Sequence, residues 1–122
     1  MRSKAVRWLL VATISIVNVI SPHVAQAASY ACSGVVTGVA LSPSGVVTVY
    51  SADAGLNAAY ICQIGSTYNG VGPDACKAIL AVLVSAKATG IHAEWSFNDG
   101  LSCTTHPAWD VLTGWYYGPV LR

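Results

Sequence analysis

His92 and Glu94 stand two residues apart, a spacing that on an extended strand puts an imidazole and a carboxylate on one face, where they could work as base and acid. On a solvated strand face such a pair is ordinarily polar decoration, and an enzyme is the least supported reading of the chain. Cys103-Thr104-Thr105-His106 has a ligand-like Cys-x2-His spacing. No second ligand pair lies near it in sequence, so neither a metal centre nor a cofactor is expected. Ser33, Ser42 and Ser44 have no visible base, and the chain has no Gly-x-Ser-x-Gly elbow and no phosphate-cradling loop. The residues that favour a function are aromatic. Trp109, Trp115, Tyr116 and Tyr117 exceed what one strand's buried face absorbs, and flat rings with a polar tip suit sugar faces and protein contacts alike. Core packing competes for Trp115 and a neighbouring tyrosine, because alternation sends at least one side inward.

The N-terminal segment sets the compartment in which these residues are read. Arg2, Lys4 and Arg7 precede an apolar run from Trp8 to Ile20, a Ser21-Pro22 break and the small-residue site Ala25-Gln26-Ala27, the pattern of a secretory signal peptide spanning 1–27. The apolar run is shorter than the roughly 20 residues of a bilayer-spanning helix, so a secreted or periplasmic protein without stable membrane insertion is expected. Cleavage leaves 95 of the 122 residues, a single domain over 28–122. Its Lys77, Lys87 and Arg122 face Asp53, Asp74, Glu94, Asp99 and Asp110, a net charge of −2. With no basic patch to neutralise phosphates, nucleic acid is not expected as a partner and anionic membrane surfaces are poor ones. So few charges leave a small apolar monomer little surface polarity, which favours cover by other copies of the chain.

Cys32, Cys62, Cys76 and Cys103 all lie in the exported part, and an even number in a short exported chain reads as two disulfides. Four cysteines allow three pairings, and sequence alone does not select one. The preferred pairing is Cys62 with Cys76, closing a short loop at a predicted strand-to-helix junction, and Cys32 with Cys103.

The elements that must position the aromatics follow from local pattern. Val35 to Leu41 and Val46 to Tyr50 are β-branched runs around Ser42-Pro43-Ser44-Gly45, which has the Pro and Gly positions of a type I turn, so they predict a hairpin. Ala58 to Ile64 predicts a third strand with Tyr60, Cys62 and Ile64 on one face. Gly65 to Gly72 is a glycine-rich connection. Pro73 and Asp74 then start a helix that runs to about Thr89 and stops at Gly90. At 100° per residue Cys76, Ile79, Leu80, Leu83 and Val84 form its apolar stripe. Ala78, Ala81, Val82, Ser85 and Ala88 form the opposite face, without charges or large apolar groups. Close approach of a second copy, making a homo-oligomer, and simple helix propensity of alanine both account for that face. Ile91 to Phe97 alternates for a strand with Ala93, Trp95 and Phe97 inward, and Trp109 to Val120 contributes a last strand.

Tyr60-Ile61-Cys62 on the third strand, and a helix ending Thr89-Gly90 that feeds Ile91-His92-Ala93, resemble the OB-fold B subunits of the pertussis-like and subtilase-cytotoxin AB5 toxins over about half of the exported part. The Gly72-to-Cys76 segment and Thr113 to Tyr116 resemble small uncharacterised exported bacterial proteins. The strand and helix order and the toxin-subunit resemblance together imply an α+β, mainly β chain: a small OB-like five-stranded barrel, or a curled antiparallel sheet packed by one helix, alongside the two disulfides read from the cysteines. The toxin-subunit resemblance carries the functional implication. It also implies a ring-forming, glycan-binding subunit, and the nearest positions to that family's sugar-contacting serine are Cys32 and Ser33. The expectation is a secreted non-enzymatic binding module for a glycan or a protein, with Trp109, Trp115, Tyr116, Tyr117 and Ser33 as its ligand residues. The alternative is an exported inhibitor or stress-related structural protein presenting a loop such as Ser66 to Gly72.

Overall fold

The structure is a computed structural model and describes residues 27–122. The signal-peptide reading of 1–27 thus lies outside the described residues, apart from Ala27. Among the described residues, six strands and one helix follow in the order β1 (Tyr30–Val35), β2 (Gly38–Leu41), β3 (Val46–Ser51), β4 (Leu56–Gln63), α1 (Pro73–Thr89), β5 (His92–Phe97) and β6 (Trp115–Leu121). They form two antiparallel three-stranded sheets, β1-β5-β6 and β2-β3-β4. The chain is mainly β, as expected, but among the described residues the strands form two sheets and no closed five-stranded barrel.

The extra strand is β1, whose Tyr30 to Gly34 precede the predicted run Val35 to Leu41, and that run is itself divided between the two sheets. Val35 ends β1, Val36 is buried in the core, and the Thr37 N–H and hydroxyl both donate to the Tyr50 carbonyl, at 2.8 and 3.1 Å. From Gly38 the chain belongs to β2. A β-branched run marks extended backbone and not the sheet that will receive it. The predicted hairpin turn is present: the Gly45 N–H donates to the Ser42 carbonyl at 2.9 Å.

Helix α1 runs as expected from Pro73 to Thr89, with Gly90 left-handed at φ 69° and its N–H on the Ala86 carbonyl. Cys76 and Leu83 are buried, and Ile79 and Leu80 pack against the core. Val84, predicted in this stripe, is 52% exposed, and Ala86 is buried instead. At 100° per residue Val84 lies 100° round from Leu83, beyond the stripe, whereas Ala86 lies 60° from it on the other side. Of the opposite face, Ala78, Ala81, Ser85 and Ala88 are exposed and Val82 half-buried.

Strand β5 buries Ala93, Trp95 and Phe97 as its alternation predicts. Both disulfides form in the preferred pairing, Cys32–Cys103 and Cys62–Cys76. Two disulfides suit an oxidising, extracytoplasmic compartment, and no helix among the described residues is long and apolar enough to cross a membrane.

Candidate functional site

The outward face of β2-β3-β4 is a groove of about 420 Å³ floored by Ala40, Val46 and Thr48 and walled by Tyr50, Tyr60, Tyr68 and Trp109, with Ser42 and Ser44 at its end. Strand alternation aims Val46, Thr48 and Tyr50 outward while Val47 and Val49 are buried. Tyr60 joins them through a β-bulge. Val47 pairs with Cys62 but Thr48 pairs with Tyr60, so Ile61 is the extra residue and the alternation changes phase there. Cys62 is therefore wholly buried and Tyr60 half-exposed, which corrects the expectation that Tyr60, Cys62 and Ile64 share one face.

Tyr68 arrives on a tight turn. Tyr68 and Val71 exchange backbone hydrogen bonds of 3.0 and 2.9 Å across Asn69 and Gly70, both at positive φ, the conformation for which Asn-Gly is the preferred pair. The Asn69 side-chain amide then donates to the Leu112 carbonyl at 2.6 Å. That bond helps fasten residues 109–112 along β4, where the Trp109 N–H donates to Asn57, the Tyr60 N–H to Asp110 and the Leu112 N–H to Tyr60. Tyr60 and Val111 form a parallel bridge, so this segment acts as a fourth, short edge of the sheet. Trp109 leaves it with φ at +56°, a region a bulky residue adopts only when its surroundings force it, at about 1–3 kcal/mol. The residue is 63% exposed, and its ring meets the Tyr50 ring edge-on at 6.1 Å. An exposed indole held by strained backbone contributes little to stability, so its position answers to another demand. The groove contains no charged side chain. It offers aromatic faces ringed by hydroxyls, with Ser42 Oγ and Ser44 Oγ paired at 2.8 Å.

The other residues expected at a ligand site do not gather here. Trp115 packs against the core. Tyr116 and Tyr117 are 58% and 62% exposed on β6, an edge of the other sheet. Ser33 is half-buried on β1 opposite Glu94. Glu94 is held by Arg122 at 3.0 Å, not by His92, so the acid–base pair read from their spacing is not assembled. Cys103 is committed to its disulfide, and among the described residues no three His, Cys, Asp or Glu side chains are placed to hold a metal.

His106 instead belongs to a closed cluster with Tyr30 and Asp99. The Tyr30 hydroxyl donates to Asp99 Oδ1 at 2.6 Å. Having one hydrogen, it must accept from His106 Nε2–H at 2.9 Å, which fixes the imidazole tautomer and leaves Nδ1 buried without a partner. The His106 side chain is 2% exposed, with its ring tilted against Phe97 at 4.4 Å and stacked on Tyr30 at 6.1 Å. Burial lowers the His106 value below 6.5, and the Asp99 charge and hydrogen bond only partly offset this. Burial pushes Asp99 up, but the Tyr30 hydroxyl, the Leu101 N–H and His106 outweigh it and hold the carboxyl below 3.8. Tyr30 is pushed well up by its burial and by Asp99. Gly114, at φ 75°, lies so close to Asp99 that a Cβ there would collide with its side chain. The cluster fastens the 98–114 segment to β1 beside the Cys32–Cys103 bond, and so carries Trp109 to the opposite sheet.

Compared with family models, curated proteins and solved structures, the chain has no match.

Proposed function

We propose that the chain is an exported, non-enzymatic binding module that holds a glycan in the groove on the outward face of β2-β3-β4. The supporting observation is Trp109, an exposed indole set by a strained backbone beside Tyr50 and among hydroxyl groups. Sugar rings present apolar C–H faces edged by hydroxyls, and aromatic faces ringed by serine, threonine and tyrosine hydroxyls complement both. On this reading the ligand lies on Trp109 with Tyr50, Tyr60 and Tyr68, which sequence reasoning passed over, and not on Trp115, Tyr116, Tyr117 or Ser33. A B-subunit-like assembly remains part of the proposal, supported by the exposed, uncharged helix face.

A glycan array followed by titration of intrinsic tryptophan fluorescence tests the reading. A buried aromatic anchor at a binding hot spot is worth about 2 kcal/mol or more, so Trp109→Ala should weaken binding by roughly 30-fold or more. Because the ring is exposed in the free protein, the unfolding midpoint should hardly move. No binding across the array, or equal binding by Trp109→Ala, sinks the proposal.

A further inference from the structure

We infer that the ligand is a neutral oligosaccharide of at least two residues, lying across the Tyr50–Trp109 ring pair with one sugar in the groove and the next in an adjoining cavity. This rests on the glycan-binding reading above. The second cavity, about 610 Å³, is lined in part by Thr37, Asn57, Thr104 and His106, and Tyr50 lines both spaces. The chain passes from one to the other within a single peptide, since Ala108 borders the second cavity and Trp109 the first. Asn57, whose carbonyl holds the Trp109 N–H at 3.1 Å, borders the second cavity as well. The ring pair is thus a ridge between two compartments, and each has the volume of a small-molecule site.

The compartments differ in kind. The groove offers ring faces, whereas the second cavity offers an amide and hydroxyls suited to sugar hydroxyls at the edge of a ring.

Charge excludes an acidic sugar. Neither space is lined by an Asp, Glu, Lys or Arg side chain. The charged groups next to the lining of the second cavity are carboxylates, Asp99 at 3.6 Å from His106 Nε2 and Asp53 beside Ala52 in sequence, and burial keeps His106 from supplying a compensating cation. A sugar carboxylate there would lose water without gaining a counter-charge.

Titration of the exported protein with cello-, malto- and chito-oligosaccharides of one to five units, and with oligogalacturonates of equal length, tests this. For the series that binds, affinity should rise at least tenfold between one unit and two or three, then level off, and oligogalacturonates should bind at least tenfold more weakly. Thr104→Trp, which fills the second cavity from an exposed position, should erase the gain with length, whereas Thr104→Ala should largely retain it. Length-independent binding that Trp109→Ala still abolishes would overturn the two-compartment inference alone. Oligogalacturonates binding as tightly as neutral chains would overturn its neutrality. Silence of every series overturns both this inference and the groove reading beneath it.

Discussion

Replacing Tyr30 by Phe removes one oxygen from the Tyr30–Asp99–His106 cluster and keeps the ring that stacks on Phe97 at 5.3 Å. Two hydrogen bonds go with it: the 2.6 Å bond to the Asp99 carboxylate and the 2.9 Å bond from His106. A bond to a buried charge contributes about 2 kcal/mol and a neutral one about 1. His106 Nε2 is already 3.6 Å from Asp99 Oδ2, so a small shift recovers part of the loss. The expected destabilisation at pH 7 is therefore about 2–3 kcal/mol, a fall in Tm of roughly 10–20 °C for a domain of this size. The pH dependence identifies the cause. The carboxyl of Asp99 is held below 3.8 in the folded protein, so its contribution is complete above that value and lost as pH falls through the lowered one. Without the Tyr30 hydroxyl, a main group holding the carboxyl down is gone and Asp99 titrates higher than in the parent. Protonation then relieves the variant before the parent, and the gap between them should narrow to about 1 kcal/mol once Asp99 is protonated in both. Urea unfolding followed by tryptophan fluorescence from pH 7 to pH 3 measures it. A gap below about 0.5 kcal/mol at pH 7, or one that stays constant to pH 3, would refute the role given to the hydroxyl. His106 adds a slope of its own in both proteins. Its folded value lies below 6.5, so stability is full above 6.5 and declines on acidification by at most about 1.4 kcal/mol per pH unit until the lowered value is passed.

Loop-closure entropy predicts roughly 4 kcal/mol from the Cys32–Cys103 bond, which spans 71 positions, and roughly 3 kcal/mol from Cys62–Cys76, which spans 14. Denaturant midpoints of the two double Cys→Ala variants should bear this out, with a further loss in the second because Cys62 and Cys76 are wholly buried. Opening Cys32–Cys103 should also weaken any binding in the proposed groove, since that bond anchors the segment carrying Trp109; unchanged affinity would detach the two. On the helix, Val84→Glu, placed beside Ala81, Ser85 and Ala88, should dissociate any oligomer that uses this face and leave Tm within a few degrees. Sedimentation showing the parent as a strict monomer would remove the B-subunit-like assembly from consideration.

Local chemistry made much of the fold legible before any coordinates. Pro73 and Gly90 bracket the helix because each fixes or permits the φ its position requires, and period-two burial of Ala93, Trp95 and Phe97 marks β5. The failures are non-local or turn on one residue. The bulge at Ile61 reverses the facing of Tyr60, and only the register against β3 reveals it. The bridge from Val111 to Tyr60 and the contact of Tyr30 with His106, 76 positions apart, join segments whose own patterns do not refer to one another. Trp109 was recognisable as surplus to a core, but its companions were not, because Tyr50 and Tyr60 sit in strands where aromatic residues are unremarkable. Asn69-Gly70 was the available clue to the turn that brings in Tyr68.

Strands β1 and β6 flank β5 on opposite sides and run parallel to each other, with Tyr30 against Phe97 and Leu121 against Ala93. The two ends of the folded chain therefore emerge at opposite ends of one sheet. Force applied between them would draw both outer strands along β5 in shear, loading the rungs of each ladder together instead of peeling them singly. The Cys32–Cys103 bond ties β1 to the 98–114 segment and adds a covalent path for that load. A module tethered by its ends to a surface and holding a ligand against flow would be mechanically firm along the line on which it is pulled.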